Sequence, residues 1–390
     1  MSFLSRTAAT SLITMAAACP LQAESLDVRI GYLQWVPDQG PVLSNVIPEP
    51  DDAGLRGAEL AMNDNSTTGK FLGQTYSLQS EVADTEEAAI AAFETMRESG
   101  LDLFVVNAPA STLKTLTETV GDNTLIFNAG AKDDALRTGQ CHVNLLHTMP
   151  SYSMLTDALG QWLNQRRWDE VFLITGPTEA DKGWADAFRR SAKRFGLEIV
   201  EDKPWTFDAD LRRTASKELP LFTQASDYDA VVVADVRGDF GEYVPFNTWL
   251  PRPVVGTQGM SPLAWHYVVE SWGAAQLQNR FRELAGRQMN SEDYAAWAAI
   301  RSIGTAVTDL NSASPAEIRN FLFSDEFQLA AFKGRKVTFR DWNGQMRQPI
   351  PLVHPRGLVA TAPFEGFLHP NTELDTLGFD RPESECRING

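Results

Sequence analysis

VFLITGPTEADKGWADAFRRSAKRFG, residues Val171 to Gly196, decides the architecture of this chain. Val171, Phe172, Leu173 and Ile174 form a short apolar run of β-forming residues, as in a strand buried on both faces. A polar turn follows. Trp184, Phe188, Ala192 and Phe195 then recur at helical spacing, and Gly196 supplies a stop. Strand, turn and helix in that order make half of a βαβ unit. In an open parallel sheet such a turn faces the crevice where ligands bind.

The same alternation extends upstream. VRIGYL (Val28–Leu33) reads as a strand, and GLRGAELAMND (Gly54–Asp64) as a helix with Asp51 or Asp52 as its cap. YSLQSEVA (Tyr76–Ala83) is a second strand, and a helix carrying Ala89, Phe93 and Met96 on one face follows it. LDLFVVN (Leu101–Asn107), a helix capped by Ser111, and TLIFNAG (Thr124–Gly130) complete the run. Such a βαβαβαβ order demands a parallel sheet covered on both faces. The pattern restarts with a helix over Tyr152–Arg166. The opening stretch comes next, then LEIV, a helix near Leu211–Leu219, DAVVVAD (Asp229–Asp235) and PVVGT (Pro253–Thr257). Helices over Ala274–Ala285, Ser291–Leu310 and Pro315–Phe323 follow. The chain then turns to β, with Asn343-Gly344 marking a hairpin between GRKVTF and QPIPLV.

These signals predict an α/β protein of two lobes, each an open parallel sheet flanked by helices. A length of 390 residues suits two cores better than one. The expected division is a signal segment at 1–23, one lobe from 26–145 plus 272–333, and another from 146–271 plus 334–390. The formal net charge of −17 argues against nucleic acid or an anionic membrane as partner, because both repel an acidic surface.

MSFLSRTAATSLITMAAACPLQA begins with Arg6 as its only basic residue, continues with a mildly apolar stretch, and ends in small residues near Ala23. That is an export pattern, with cleavage expected after Ala23 and a periplasmic product. A lipid anchor at Cys19 is the less favoured alternative. Removal of the segment leaves Cys141 and Cys386, and an exported chain with one available pair invites a disulfide.

In order and spacing the pieces resemble a type I periplasmic binding protein, of the group that includes leucine/isoleucine/valine-binding proteins. RIGYL with GLRGAELAMND, Val171–Gly196, PVVGTQG, and FKGRKVTFRDWNGQMRQPIPLV carry the likeness. YVPFNTWLPRPVVGTQG, ESWGAAQLQNRF, WNGQMRQPI and ELDTLGFDRPESEC further resemble a subgroup of ABC-transporter binding proteins associated with PQQ-dependent alcohol dehydrogenase systems, some of whose relatives are linked to lanthanide uptake. The resemblance implies two lobes joined by three crossings and closing on a ligand. It also implies a membrane permease as partner.

Carried over by position, the amino-acid cradle of that family is largely absent. After the third strand the match falls on Ala110 or Ser111, and after the fourth on Gly130 and Ala131, where a threonine is lost. The family's Tyr-Gly falls on Ala180-Asp181, its second tyrosine near Val236, and its acidic residue on Gln258. An unpaired ammonium or carboxylate in a closed crevice costs several kcal/mol, so free branched-chain amino acids are expected to bind poorly. Trp35 is a candidate to stack on a planar ligand, whereas Trp184 reads as core.

What remains on the crevice loops is acidic: Glu49, Asp51, Asp52, Asp133, Asp134, Asp181, Asp235 and Asp239. Carboxylates from several loops suit a hard cation, and they equally suit helix caps. Lys132, Lys182 and Arg237 share these loops, which leaves an anionic ligand open. The crevice candidates are therefore Trp35, Ala110, Ser111, Gly130, Ala131, Asp133, Asp181, Asp235, Arg237 and Gln258. Glu49, Asp51, Asp52, Asp134 and Asp239 are the additional metal candidates. No catalytic motif or dinucleotide loop occurs, and the chain is read as a non-enzyme without a cofactor. A metal ion or PQQ enters only as cargo. The alternatives are an accessory or sensor protein that docks on a periplasmic dehydrogenase, and a crevice hydrolase.

Overall fold

The computed structural model describes residues 25–38, 40, 49–121, 123–206, 211 and 214–388. The expected signal segment and Cys19 lie outside them. No helix among the described residues is long and apolar enough to cross a membrane.

The first lobe runs β1 (Leu26–Trp35), α1 (Leu55–Leu72), β2 (Gln74–Ala83), α2 (Glu86–Glu98), β3 (Leu103–Asn107), α3 (Ala110–Glu118), β4 (Leu125–Asn128), α4 (Ala135–Thr138) and β5 (Leu145–His147). Its sheet has the order β2-β1-β3-β4-β5, with every pair parallel. The second lobe continues with α5 (Tyr152–Arg166), β6 (Glu170–Thr175), α6 (Glu179–Phe195), β7 (Glu198–Pro204), α7 (Ala215–Phe222), β8 (Ala230–Ala234), β9 (Val254–Gly256) and β10 (Ser261–Pro262). Its parallel sheet has the order β7-β6-β8-β9. In both sheets the first strand lies between the second and third. The chain leaves in opposite directions there, and a crevice opens at the carboxyl ends of β1 and β3, and of β6 and β8.

The opening stretch folds as its pattern dictates. Val171 to Ile174 are fully buried within β6. Thr178 and Asp181 form a capping box that starts α6, and Gly196 ends it in the left-handed region at φ 71°. Trp184 is core, stacked on Phe188 at 5.8 Å between ring centroids.

After β10 the chain returns to the first lobe with α8 (Ala274–Ala285), α9 (Ser291–Leu310), α10 (Pro315–Leu322), β11 (Leu329–Ala330), β12 (Lys336–Phe339) and β13 (Met346–Arg347). α9 packs so closely on α1 that a Cβ on Gly57 would sit 1.9 Å from the Asp293 carbonyl oxygen. β14 (Ile350–His354) and β15 (Gly357–Ala362) then pair with each other, and β10 joins β14.

The lobe boundaries differ from the sequence division. Ala264 and Trp265 already belong to the first lobe's core, so the second crossing precedes residue 271. Val337, Phe339 and Met346 also pack there, whereas Ile350 and Leu352 pack in the second core. The third passage thus runs into β14, whose Ile350 and Leu352 pack in the second core while Val353 packs in the first, within the segment expected to be one hairpin strand. The apolar residues on either side look alike in sequence; only the partner sheet distinguishes them.

The first and third crossings are tied together. The Gln348 amide donates to the Thr148 carbonyl at 2.8 Å, and the Lys333 ammonium nitrogen donates to Gln348 Oε1 and the Pro349 carbonyl. Burial pushes the Lys333 amine well below its ordinary range. The C-terminal segment packs on both lobes. Leu377 enters the second core, while Ser384 Oγ donates to the Arg137 carbonyl and Glu385 N to the Thr138 carbonyl. The Cys141–Cys386 disulfide is formed, across 245 residues of sequence.

Two expected caps are corrected. α1 starts after Gly54 without a side-chain cap, and Asp52 instead pairs with Arg56 and Arg287. α3 starts after Pro109 and takes Ser111 into its first turn, again without a side-chain cap. In both places the Asp or Ser was a good cap by type, but the helix began elsewhere.

Candidate ligand-binding crevice

Most of the charged residues named from sequence already have protein partners. Asp181 is 1% exposed. Its Oδ2 accepts from Thr178 N at 3.0 Å and its Oδ1 from Val236 N at 2.6 Å, so it joins the loops after β6 and β8. Asp235 accepts four backbone N–H groups, from Gly238, Asp239, Phe240 and Gly241, at 2.6 to 3.0 Å. Burial pushes its carboxyl above the ordinary range, and those donors pull the other way. Asp134 accepts from Ser153 N and Ser153 Oγ, and Asp52 holds two arginines. Arg237 lies 3.4 Å from Asp239 and reaches across to the Gly40 carbonyl of the first lobe at 3.3 Å. Gln258 is half-buried beside Gly241. Asp51 is exposed, and its carbonyl accepts from the Gln34 amide. Among the described residues no three His, Cys, Asp or Glu side chains converge as a metal-holding group.

The loop after β4 is set by Asn128. Its Oδ1 accepts from Gly130 N at 3.0 Å and Ala131 N at 2.8 Å. Its Nδ2 donates to the Ala131 carbonyl and approaches His147 Nδ1 at 3.0 Å. Since the amide nitrogen is a donor there, His147 presents a lone pair at Nδ1 and is neutral. Burial and the nearby Arg137 push its pKa well below the usual histidine range. The Gly130 and Ala131 N–H groups are thereby consumed inside the loop. By contrast the first turn of α3, with Ala110 and Ser111, has no side-chain cap and faces the crevice end of β3.

One cluster was only half seen in the sequence, which names Lys132 and Glu49 but neither Glu292 nor the Tyr152 side chain. Lys132 Nζ donates to Glu292 Oε1 at 2.9 Å, with a quarter and a fifth of the two side chains exposed. Burial works against the Lys132 charge, but Glu292 holds its pKa above the ordinary lysine value, and Lys132 in turn holds Glu292 low. Glu49 accepts from the Asn290 amide at 2.6 Å, and burial together with Glu292 raises its pKa. Tyr152, at the start of α5, lies against both lobes. Its N–H donates to the Lys132 carbonyl, and its ring is the neighbour a Cβ on Gly183 of α6 would meet at 3.6 Å. Burial pushes its phenol up to about 12; Lys132 opposes this, while Asp133 and Asp181 add to it. Nothing local in the sequence announces this cluster, because Lys132 and Glu292 are 160 residues apart. Trp35 is half-buried against the α2 and α3 side of the first sheet.

Two α/β lobes with three crossings and polar loops facing one crevice define a hinged solute receptor. The chain belongs to the periplasmic binding protein family, whose profile matches residues 28–244. A branched-chain amino acid ABC transporter periplasmic ligand-binding protein from Burkholderia xenovorans is similar in fold, with 16% identity, a TM-score of 0.73, and 93% of this chain and 100% of that one covered. A solute-binding protein from R. palustris, solved in complex with benzoate, has 15% identity, a TM-score of 0.65 and coverages of 87% and 98%. The branched-chain amino acid transporter substrate-binding protein LivJ from Streptococcus pneumoniae, in complex with isoleucine, has 17% identity, a TM-score of 0.63 and coverages of 86% and 98%. No curated protein matches.

Proposed function

We propose that this chain is the exported solute-binding component of an ABC importer, delivering to a membrane permease a cargo other than a free α-amino acid. One observation carries the second half of that reading. The backbone donors at Gly130 and Ala131, where the family's position after the fourth strand falls, are taken by Asn128. A ligand carboxylate seated there would have to displace two good hydrogen bonds, each worth about 1 kcal/mol net. The absence of a tyrosine at Ala180 and near Val236, and of an acid at Gln258, points the same way.

The PQQ-linked setting rests on the resemblance of residues 243–259, 270–281, 342–350 and 373–386, and makes uncharged alcohol-derived organics the first cargo to screen. A bare lanthanide fits less well, since Asp181, Asp235, Asp134 and Asp52 are engaged in backbone or arginine contacts. Calorimetry with leucine, isoleucine and valine tests the reading. Binding below about 1 mM is expected to be absent, and micromolar affinity for any of the three would overturn it.

A further inference from the structure

We infer that the first lobe carries a second binding site, outside the crevice, for a small monocarboxylate in the cavity between α1, β2 and α9. The site stands apart from the cargo. Tyr76, which borders it, lies near the amino end of β2, whereas the crevice opens at the carboxyl ends of the strands.

The cavity measures about 140 Å³ and is lined by Asn65 and Thr68 of α1, Tyr76 of β2, and Arg301, Thr308 and Asp309 of α9. At about 30 Å³ per water molecule, it has room for a ligand of a few non-hydrogen atoms.

Arg301 sets its chemistry. Arg340 and Arg287 each hold a carboxylate, and Arg137, which holds none, spends its guanidinium on Gln345 and three backbone carbonyls. Arg301 is half-buried and has one protein acceptor among the described residues, the neutral Asn65 Oδ1, which meets Nη1. Asn65 is held in that orientation because its Nδ2 donates to the Ile300 carbonyl at 2.9 Å. Asp64, the carboxylate that acts on Arg301 from α1, is already engaged by Arg280 and by Trp297 Nε1. Burial holds the Arg301 guanidinium below its ordinary range, and Arg280 adds to this. A cation in that position draws an anion, since nothing else in the cavity wall neutralises it. Nε and Nη2 donate to no described residue, and together they form the edge of the fork that matches the two oxygens of a carboxylate.

The mouth limits the charge. Thr68 and Thr308 are exposed there and offer hydroxyl donors, with Thr308 beside the Tyr76 hydroxyl. Asp309 is exposed at the same rim, and the negative end of the α9 dipole lies with it. One anionic charge is therefore favoured at Arg301 and a second is opposed.

Saturation-transfer NMR with acetate on the exported, disulfide-bonded protein reads the site, with sulfate and chloride as competitors. Acetate is expected to bind, and both competitors to bind about threefold or more less tightly. Arg301→Gln should weaken acetate about tenfold or more. The double variant Thr68→Val, Thr308→Val should weaken it about threefold without moving the ligand-free unfolding midpoint, and it reads the site even if Arg301→Gln does not fold. Acetate at about ten times its Kd should raise the wild-type midpoint by about 2 °C over an equal ionic strength of chloride. Absence of acetate binding, binding untouched by Arg301→Gln or by the double variant, or sulfate binding as tightly as acetate would each overturn the inference. None of those outcomes would touch the exclusion of amino acids from the crevice, which fails only on leucine, isoleucine or valine binding.

Discussion

Replacing Asp181 separates a cap from a cargo ligand. Its carboxylate holds Thr178 N and Val236 N, at 3.0 and 2.6 Å, and so fixes the start of α6 and the loop after β8 at once. A hydrogen bond to a charged group contributes about 1.5–3 kcal/mol, and a cap typically about 1. Water can reach the loop at Val236, which is 37% exposed, and would recover part of the loss. Asp181→Ala should therefore cost about 3 kcal/mol. Asp181→Asn, which keeps one acceptor but turns an N–H donor toward the other backbone donor, should cost about 2 kcal/mol. Urea unfolding followed by circular dichroism reads both. A cost below about 0.5 kcal/mol for the alanine variant, against the 1.5–3 expected per bond, would refute the capping account.

Reducing the Cys141–Cys386 bridge, or replacing both cysteines by serine, opens a loop spanning 245 residues. The chain-entropy relation puts the loss at about 5 kcal/mol, to be read as a lower urea midpoint only in the reduced or doubly substituted protein. Gly57→Ala forces a methyl group to within 1.9 Å of the Asp293 carbonyl oxygen unless α1 and α9 separate. The expected cost is about 2–3 kcal/mol, and a midpoint unchanged from wild type would show that the two helices part freely. His147 is depressed by burial, so the unfolded imidazole takes up a proton near pH 6.5 and the folded one does so only well below that. Its contribution therefore falls as pH drops below 6.5, by up to about 1.4 kcal/mol per unit. His147→Gln removes that dependence, so the stability gap between wild type and variant should narrow from pH 7 to pH 5; parallel curves would contradict the neutral assignment.

Much of the fold was legible because its cues are local. The apolar run Val171–Ile174 and the stripe Trp184, Phe188, Ala192, Phe195 each report their own element, and the helix over Ser291–Leu310 matches its predicted span. The three-residue strand β5 escaped notice because Leu145–His147 is too short for a period to develop. The site was less legible. Residue type singled out Asp181 and Asp235, but only the fold shows their oxygens consumed by backbone N–H groups. Tyr152 carries no motif. Its significance comes from the first crossing, which sets it between Lys132 and Gly183. The third crossing was misplaced because an apolar strand does not record which sheet it will join.

The bridge between Cys141 and Cys386 has a mechanical consequence. Both cysteines are anchored on the first lobe's side, and every element of the second lobe lies between them in sequence. Tension applied at the two ends of the chain would pass through the sulfurs and bypass the second lobe altogether. Roughly 800 Å of extendable backbone, at about 3.4 Å per residue, is thereby shielded from pulling until the bond is cut.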